Sequence, residues 1–464
     1  MLENSAAARD VRHLLHGYVE LRSQRERGPT VITGGKGIYV FDENGMPYIE
    51  GAAGMWCTMF GFGEEALVDA ATEQLRKLPY YHTVSYKSVN PAIDLAERLS
   101  SLVPINNSKI HFALSGSEAN DFLIKFVRFY NNSIGRPLKK KIISRINGYH
   151  GATVMATSLT GIASNHRHFD LPLPGILHTD EPNHFHNALP GESPTEFASR
   201  LALSLETLIL SEGPETIAAF IAEPITGAGG VVIPPETYYA KVQALLHKYD
   251  ILFLADEVIT GFHRTGKLWG CDTMEIQPDA MTLAKGLTSA YQPLAAIVIS
   301  DPMYQGIEAG SADLGYFGHG TTYSGHPVGC AVALKVLDLI QERDIAGHVA
   351  RVSKQFAKRI NQFIDHPLVG EVRCVGLMGA VEFVADKKTK TFFNPVGAFA
   401  RRVKEHSEDH YKLICRALPT GDACAFSPPV IITEEEIDEM FDRFAKALDD
   451  VTASYRRETG NTNL

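Results

Sequence analysis

Ile251-Leu252-Phe253-Leu254-Ala255-Asp256-Glu257 is the stretch on which the fold turns. Its apolar residues run without alternation, so neither side of the segment faces water, as in a strand covered on both faces by helices. Met281-Thr282-Leu283-Ala284, ahead of Lys285-Gly286, repeats the texture, as do 142–143, 217–222 and 294–299. Between such runs lie helical patterns: Val242, Leu245, Leu246 and Tyr249 predict a helix over 241–249. Upstream, Lys109-Ile110-His111-Phe112-Ala113-Leu114, then Ser115-Gly116-Ser117, then Phe122, Leu123, Phe126, Val127 and Tyr130 read as strand, tight loop and helix. Strands alternating with helices predict an α/β fold with a large, mostly parallel sheet.

After residue 326 the texture changes to long amphipathic helices followed by short strands near 371–373, 379–384 and 413–416. Thr433 with Glu436 forms a capping box ahead of Ile437, Met440, Phe441, Phe444 and Leu448. The expected division is an N-terminal segment over 1–60 that packs with the small domain, a large α/β domain over 61–325, and a small α+β domain over 326–464.

Composition narrows the function. The chain has 464 residues, 45% of them hydrophobic, enough for a sizeable core. A net charge of −10 argues against nucleic acid or acidic membranes as partners. The short basic runs Lys139-Lys140-Lys141 and Lys387-Lys388 read as solvated surface. Six scattered cysteines show no C-x-x-C pair or zinc spacing, so neither a disulfide framework nor a metal site is expected. No leader-like apolar core and no apolar run of about 18 residues appears, which predicts a cytoplasmic protein.

Ligands of open α/β sheets bind at the carboxyl ends of strands, so the polar residues ending each apolar run matter most. Ser115-Gly116-Ser117 at a helix start suits a phosphate, or is an ordinary N-cap. Asp256 leaves a very apolar strand and needs a partner, whether ligand, cap or salt bridge. Lys285 places an amine at a strand end, where desolvation favours a nucleophile; Gly286 beside it leaves room for something bulky. Tyr149, flanked by Gly148 and Gly151, is a candidate for stacking on a ring. The 217–222 run ends at Glu223. A phosphate cradle, an aromatic face, a carboxylate and a nucleophilic lysine together match what a pyridine aldehyde phosphate requires.

On these residues the chain resembles the class III aminotransferases of pyridoxal-phosphate fold type I, and more narrowly their amine–pyruvate, or ω-amino, branch. The resemblance runs from about Gly17 to the capped C-terminal helix. Its most specific piece is Leu254-Ala255-Asp256-Glu257-Val258-Ile259-Thr260-Gly261-Phe262-His263-Arg264-Thr265-Gly266 followed by Pro278-Asp279 and Lys285. Ser115-Gly116-Ser117-Glu118-Ala119-Asn120, Tyr149-His150-Gly151, Ala222-Glu223-Pro224 and the 318–327 stretch support it.

The resemblance implies pyridoxal 5′-phosphate held by Lys285 as an internal aldimine. Asp256 would bond the pyridine nitrogen, Tyr149 and Val258 would flank the ring, and Gly116 and Ser117 would bind the phosphate. Ser115, His150 and Glu223 complete the implied cofactor shell. Thr322 would reach the phosphate of a neighbouring subunit, which implies a homodimer with shared sites, or a tetramer built from it. His263, where the family usually has glycine, and Thr321, where phenylalanine is common, depart from the pattern.

The implied reaction transfers an amino group from a primary amine or ω-amino acid to a keto acid, by ping-pong aldimine and ketimine chemistry. Tyr18, Trp56, Tyr86, Tyr149 and Ala228 are candidate substrate walls, and Arg416 a candidate carboxylate clamp or else a surface partner of Asp422. Trp56-Cys57 and Arg416 favour pyruvate as acceptor. The alternatives are a 2-oxoglutarate enzyme of the γ-aminobutyrate or ornithine type, or an aminomutase, racemase or decarboxylase on the same scaffold. A metalloenzyme built on His184, His186, His319 and His326, and a silent binding protein, are more distant readings.

Overall fold

The computed structural model describes residues 4–460. Its central element is a seven-stranded sheet in the order Lys109–Ala113, Ala295–Ile299, Ala280–Leu283, Leu252–Asp256, Ile217–Ala222, Lys141–Arg145, Ile176–Thr179. Only Ala295–Ile299 runs against its neighbours. Each residue of Ile217–Ala222 and Ala280–Leu283 is buried, as continuous apolar runs require when helices cover both faces. The strand Ile176–Thr179 at the sheet's edge adds to those expected from sequence.

Two antiparallel-rich sheets flank this core. One joins Val369–Val375, Met378–Phe383, Ala423–Phe426 and Arg416–Ala417; the other joins Ile32–Lys36, Tyr39–Asp42, Pro47–Glu50 and Leu413–Ile414. The single strand expected over 413–416 is therefore two. Leu413–Ile414 pairs in parallel with the N-terminal strand, Cys415 intervenes, and Arg416–Ala417 pairs with the C-terminal sheet. This exchange ties the first 50 residues to the C-terminal ones. The capping box forms as expected at the start of the helix Glu434–Thr459.

Lys139 corrects the solvated-surface reading of its basic run. It is buried, and its ammonium donates to the carbonyls of Ile217 and Asp250 at 3.1 and 2.5 Å, satisfying backbone groups where two strands begin. Lys141 pairs with Glu212. Among the described residues no helix is long and apolar enough to cross a membrane.

Candidate active site

The carboxyl ends of the central strands open into one cavity of about 620 Å³. Ser115, Gly116, Ser117, Tyr149, His150, Glu223, Asp256, Val258 and Lys285 all line it, and so do Tyr18, Trp56, Ala228 and Arg416. Residues far apart in the chain meet here because parallel strands deliver all their carboxyl ends to one edge.

Asp256 is the last residue of its strand and is 3% exposed. Its Oδ2 accepts from His150 Nδ1 and Asn120 Nδ2, each at 2.8 Å, and its Oδ1 accepts from the Val258 amide at 3.1 Å. Asn120 belongs to the motif Ser115-Gly116-Ser117-Glu118-Ala119-Asn120, and the fold turns its amide to the carboxylate. Glu223 is buried at the next strand end, where its oxygens accept from the Tyr149 and Gly227 amides at 3.0 and 2.9 Å. Burial pushes its carboxyl pKa up. Arg145 fixes the same turn by donating to the Glu223 carbonyl and Thr226 Oγ1.

Lys285 follows the strand Ala280–Leu283 with a left-handed φ of 47°, a conformation unusual for a side chain of this kind. Desolvation lowers its ammonium pKa, partly opposed by the nearby Cys57, Asp256 and Glu223. Gly286 serves packing, contrary to the bulky-ligand reading. A Cβ there would stand 2.9 Å from Met59 Sδ and 3.0 Å from the Phe262 ring. The close approach lies instead at Gly116, where a Cβ would meet Val258 Cγ2 at 2.9 Å.

The Ser115 side chain accepts from the Glu118 amide as the N-cap of the helix Gly116–Ser133, so the capping reading of this loop holds. Ser117 Oγ accepts from the Ala152 amide, joining the loop to the segment after His150. The Tyr149 hydroxyl pairs with that of Tyr18 at 2.9 Å, and burial pushes the Tyr149 pKa up.

Arg416 enters the cavity from the C-terminal sheet. Burial lowers its pKa, its Nε is buried without a hydrogen-bond partner, and Nη1 touches Met55 Sδ. Asp422 is not its partner: that carboxylate accepts from the Gly397 and Ala400 amides. Tyr86 does not line the cavity of its own chain. Ser85 and Tyr86 both have left-handed φ, and the ring is fully exposed. Thr322 is likewise exposed and outside this cavity, its carbonyl accepting from Tyr80 Oη at 2.8 Å. Cys57 also lines the cavity beside Trp56, as do Thr288 and Arg401, which no motif singles out.

The histidines considered as metal ligands have other partners. His184 meets the Glu192 carbonyl, His186 pairs with Glu382, His319 meets Lys125, and His326 caps the helix Pro327–Glu342. His263 adopts φ 66°, which accounts for glycine being usual there in the family it resembles.

Residues 22–448 match the family described as aminotransferase class-III. The chain belongs to that family. It is 46% identical to a γ-aminobutyrate transaminase 3, chloroplastic, of Solanum lycopersicum, over 97% of this chain and 87% of that protein. A γ-aminobutyrate transaminase 1, mitochondrial, of Oryza sativa subsp. japonica is 47% identical over 90% of this chain and 81% of its own length. Among solved structures, the omega transaminase of Pseudomonas jessenii in complex with PMP superposes with a TM-score of 0.95 at 50% identity, covering 97% of this chain and 98% of that one.

The class III aminotransferase is thus an enzyme that transfers amino groups and uses pyridoxal phosphate on a type I fold. Its cavity fits that group. It offers a desolvated amine, a buried carboxylate, and a loop at a helix N-terminus that only glycine lets lie against Val258.

Proposed function

We propose that this aminotransferase takes the amino group of a primary amine or ω-amino acid and gives it to pyruvate. The observation that carries the reading is Arg416, a guanidinium in the cavity with no carboxylate within ion-pair reach among the described residues, set beside Tyr18, Trp56 and Tyr149. A charge without a partner suits a keto-acid carboxylate; the aromatic walls suit an apolar amine or the methylenes of an ω-amino acid. The naming of relatives as γ-aminobutyrate transaminases supports the ω-amino donor.

When bound, pyridoxal phosphate supplies an aldehyde that captures amino groups and a ring that accepts the electron pair left by deprotonation. Lys285 Nζ would hold the cofactor's aldehyde and, once freed by the amine, would serve as the base that carries the substrate's proton. Asp256 would hold the ring nitrogen and favour its protonated form. Gly116 and Ser117, with the amides at their helix start, hold the phosphate, while Tyr149 and Val258 confine the ring. Arg416 orients the acceptor.

Tyr86 and Thr322 sit on one exposed surface, where Tyr80 Oη bonds the Thr322 carbonyl and Thr83 Oγ1 the Ser324 carbonyl. This arrangement suits a homodimer in which each chain lends both residues to the other's cavity. The test of function is a screen of amines and ω-amino acids, including 4-aminobutyrate, against pyruvate and 2-oxoglutarate. Alanine formation from pyruvate is expected. Turnover with 2-oxoglutarate alone would replace the acceptor, and no transfer from any donor would refute the proposal.

A further inference from the structure

Asn120, Thr282, His150 and Asp256 form a closed hydrogen-bond network beneath the cavity. Asn120 and Thr282 are fully buried. The Asn120 amide spends both hydrogens, one on Asp256 Oδ2 at 2.8 Å and one on the His150 carbonyl at 2.7 Å. Its oxygen accepts from Thr282 Oγ1 at 2.9 Å. The two acceptors decide the orientation: rotating the amide by half a turn would set its oxygen against the carboxylate and the carbonyl, with no hydrogen between them. Thr282 completes the arrangement by donating to the amide oxygen that remains.

We infer that Asn120, with its oxygen held by Thr282, is a positioning residue that sets the Asp256 carboxylate for the cofactor ring. Oδ2 already accepts from two donors, whereas Oδ1 accepts only the Val258 amide, so Oδ1 keeps the capacity to take a further donor. The inference rests on the proposed role of Asp256. It adds a mechanical link, because Asn120 lies in the first turns of the helix that begins with Gly116 and Ser117. Thr282 lies in the strand that leads to Lys285, and its carbonyl accepts from the Glu257 amide at 3.0 Å. One network thus connects the loop, the carboxylate and the lysine-bearing strand, and a shift in any one is transmitted to the others as a lost buried hydrogen bond.

The test compares wild-type protein with Asn120→Leu, Thr282→Val, Thr282→Ser and the Asn120→Leu/Thr282→Val double variant. The readouts are pyridoxal phosphate rebinding to apoenzyme, pH titration of the bound cofactor's visible absorbance, and kcat and KM for one amine. Asn120→Leu is expected to lower kcat and weaken cofactor rebinding, each by roughly 10- to 100-fold, with amine KM near wild type and the absorbance titration displaced. Thr282→Val should move the same quantities less, Thr282→Ser should restore them, and the double variant should be no worse than Asn120→Leu. Folded variants with wild-type rebinding, titration and kcat would overturn the inference, as would additive losses in the double variant. If Asn120→Leu does not fold, an unchanged Thr282→Val does the same. Asp256→Asn protein that bound the cofactor and kept wild-type activity would instead refute the role of Asp256 itself.

Discussion

The floor and the mouth of the cavity are built on opposite plans. On the floor, Asp256, Asn120, His150 and Glu223 are buried, and the two carboxylates accept on both oxygens at ordinary hydrogen-bond lengths. At the mouth, Tyr18 is 68% and Val396 54% exposed, Arg401 is exposed, and Arg416 has no carboxylate within ion-pair reach among the described residues. A floor whose carboxylates are already fixed by hydrogen bonds holds a partner in one geometry. An unsaturated mouth leaves its charges to incoming substrate, so the chemistry should be sensitive to small changes below and the specificity to changes above.

The sharpest way to break this contrast is at Lys285. Lys285→Ala is expected to lower kcat by roughly 10⁴-fold, because it removes both the cofactor's covalent anchor and the proton carrier. Asp256→Asn keeps the shape and loses the charge, and is expected to cost roughly 10²- to 10³-fold in kcat. Single-turnover absorbance with an amine donor checks both. Either variant turning over at the wild-type rate would remove the floor from the mechanism.

The contrast also explains what the sequence made legible. Asp256, Glu223 and Lys285 stood out because polarity appears abruptly at the end of a continuous apolar run, and only a sheet edge or a site makes such a change affordable. Asn120 and Thr282 carry a subtler signal. Thr282 is one polar side chain within an apolar run and Asn120 one of several polar residues at a helix start, and the meaning of each depends on a partner distant in sequence. The split at Cys415 escaped because two-residue strands have no periodicity to read. Lys139 misled for the opposite reason: a run of lysines usually means water, yet here one of the three serves buried carbonyls. Arg416 at the mouth, and Tyr86 outside the cavity of its own chain, depend on loop geometry and on what lies opposite them, which composition does not encode.

Arg416 sharpens the contrast from the other side. Arg416→Ala should raise the KM for pyruvate by roughly 10- to 100-fold while leaving the KM for an apolar amine near its wild-type value. Separate initial-rate measurements for the two half-reactions check this. Equal losses for amine and keto acid would place Arg416 in the structural frame instead of the carboxylate site.

The smallest expected effect concerns Glu50, buried behind Arg416, whose side chain accepts from the Ala52 amide at 3.1 Å. Burial raises its pKa from an ordinary 4.5 to about 7, and the charge of Arg416 pulls the other way. The folded protein therefore favours the neutral acid. The stability this confers is greatest below about 4.5, where both folded and unfolded states are protonated, and it is lost as pH rises towards about 7. Above that pH the carboxylate is ionised and, although beyond ion-pair reach, its charge partly offsets that of Arg416. The KM for pyruvate should then rise through neutral pH by roughly 2- to 5-fold, the size of a weak, screened charge interaction. Glu50→Gln should flatten that rise and also remove the loss of stability between those two pH values, as thermal denaturation across the same range would show. A KM profile unchanged by the substitution would mean that Arg416 is screened from Glu50 and acts independently of it.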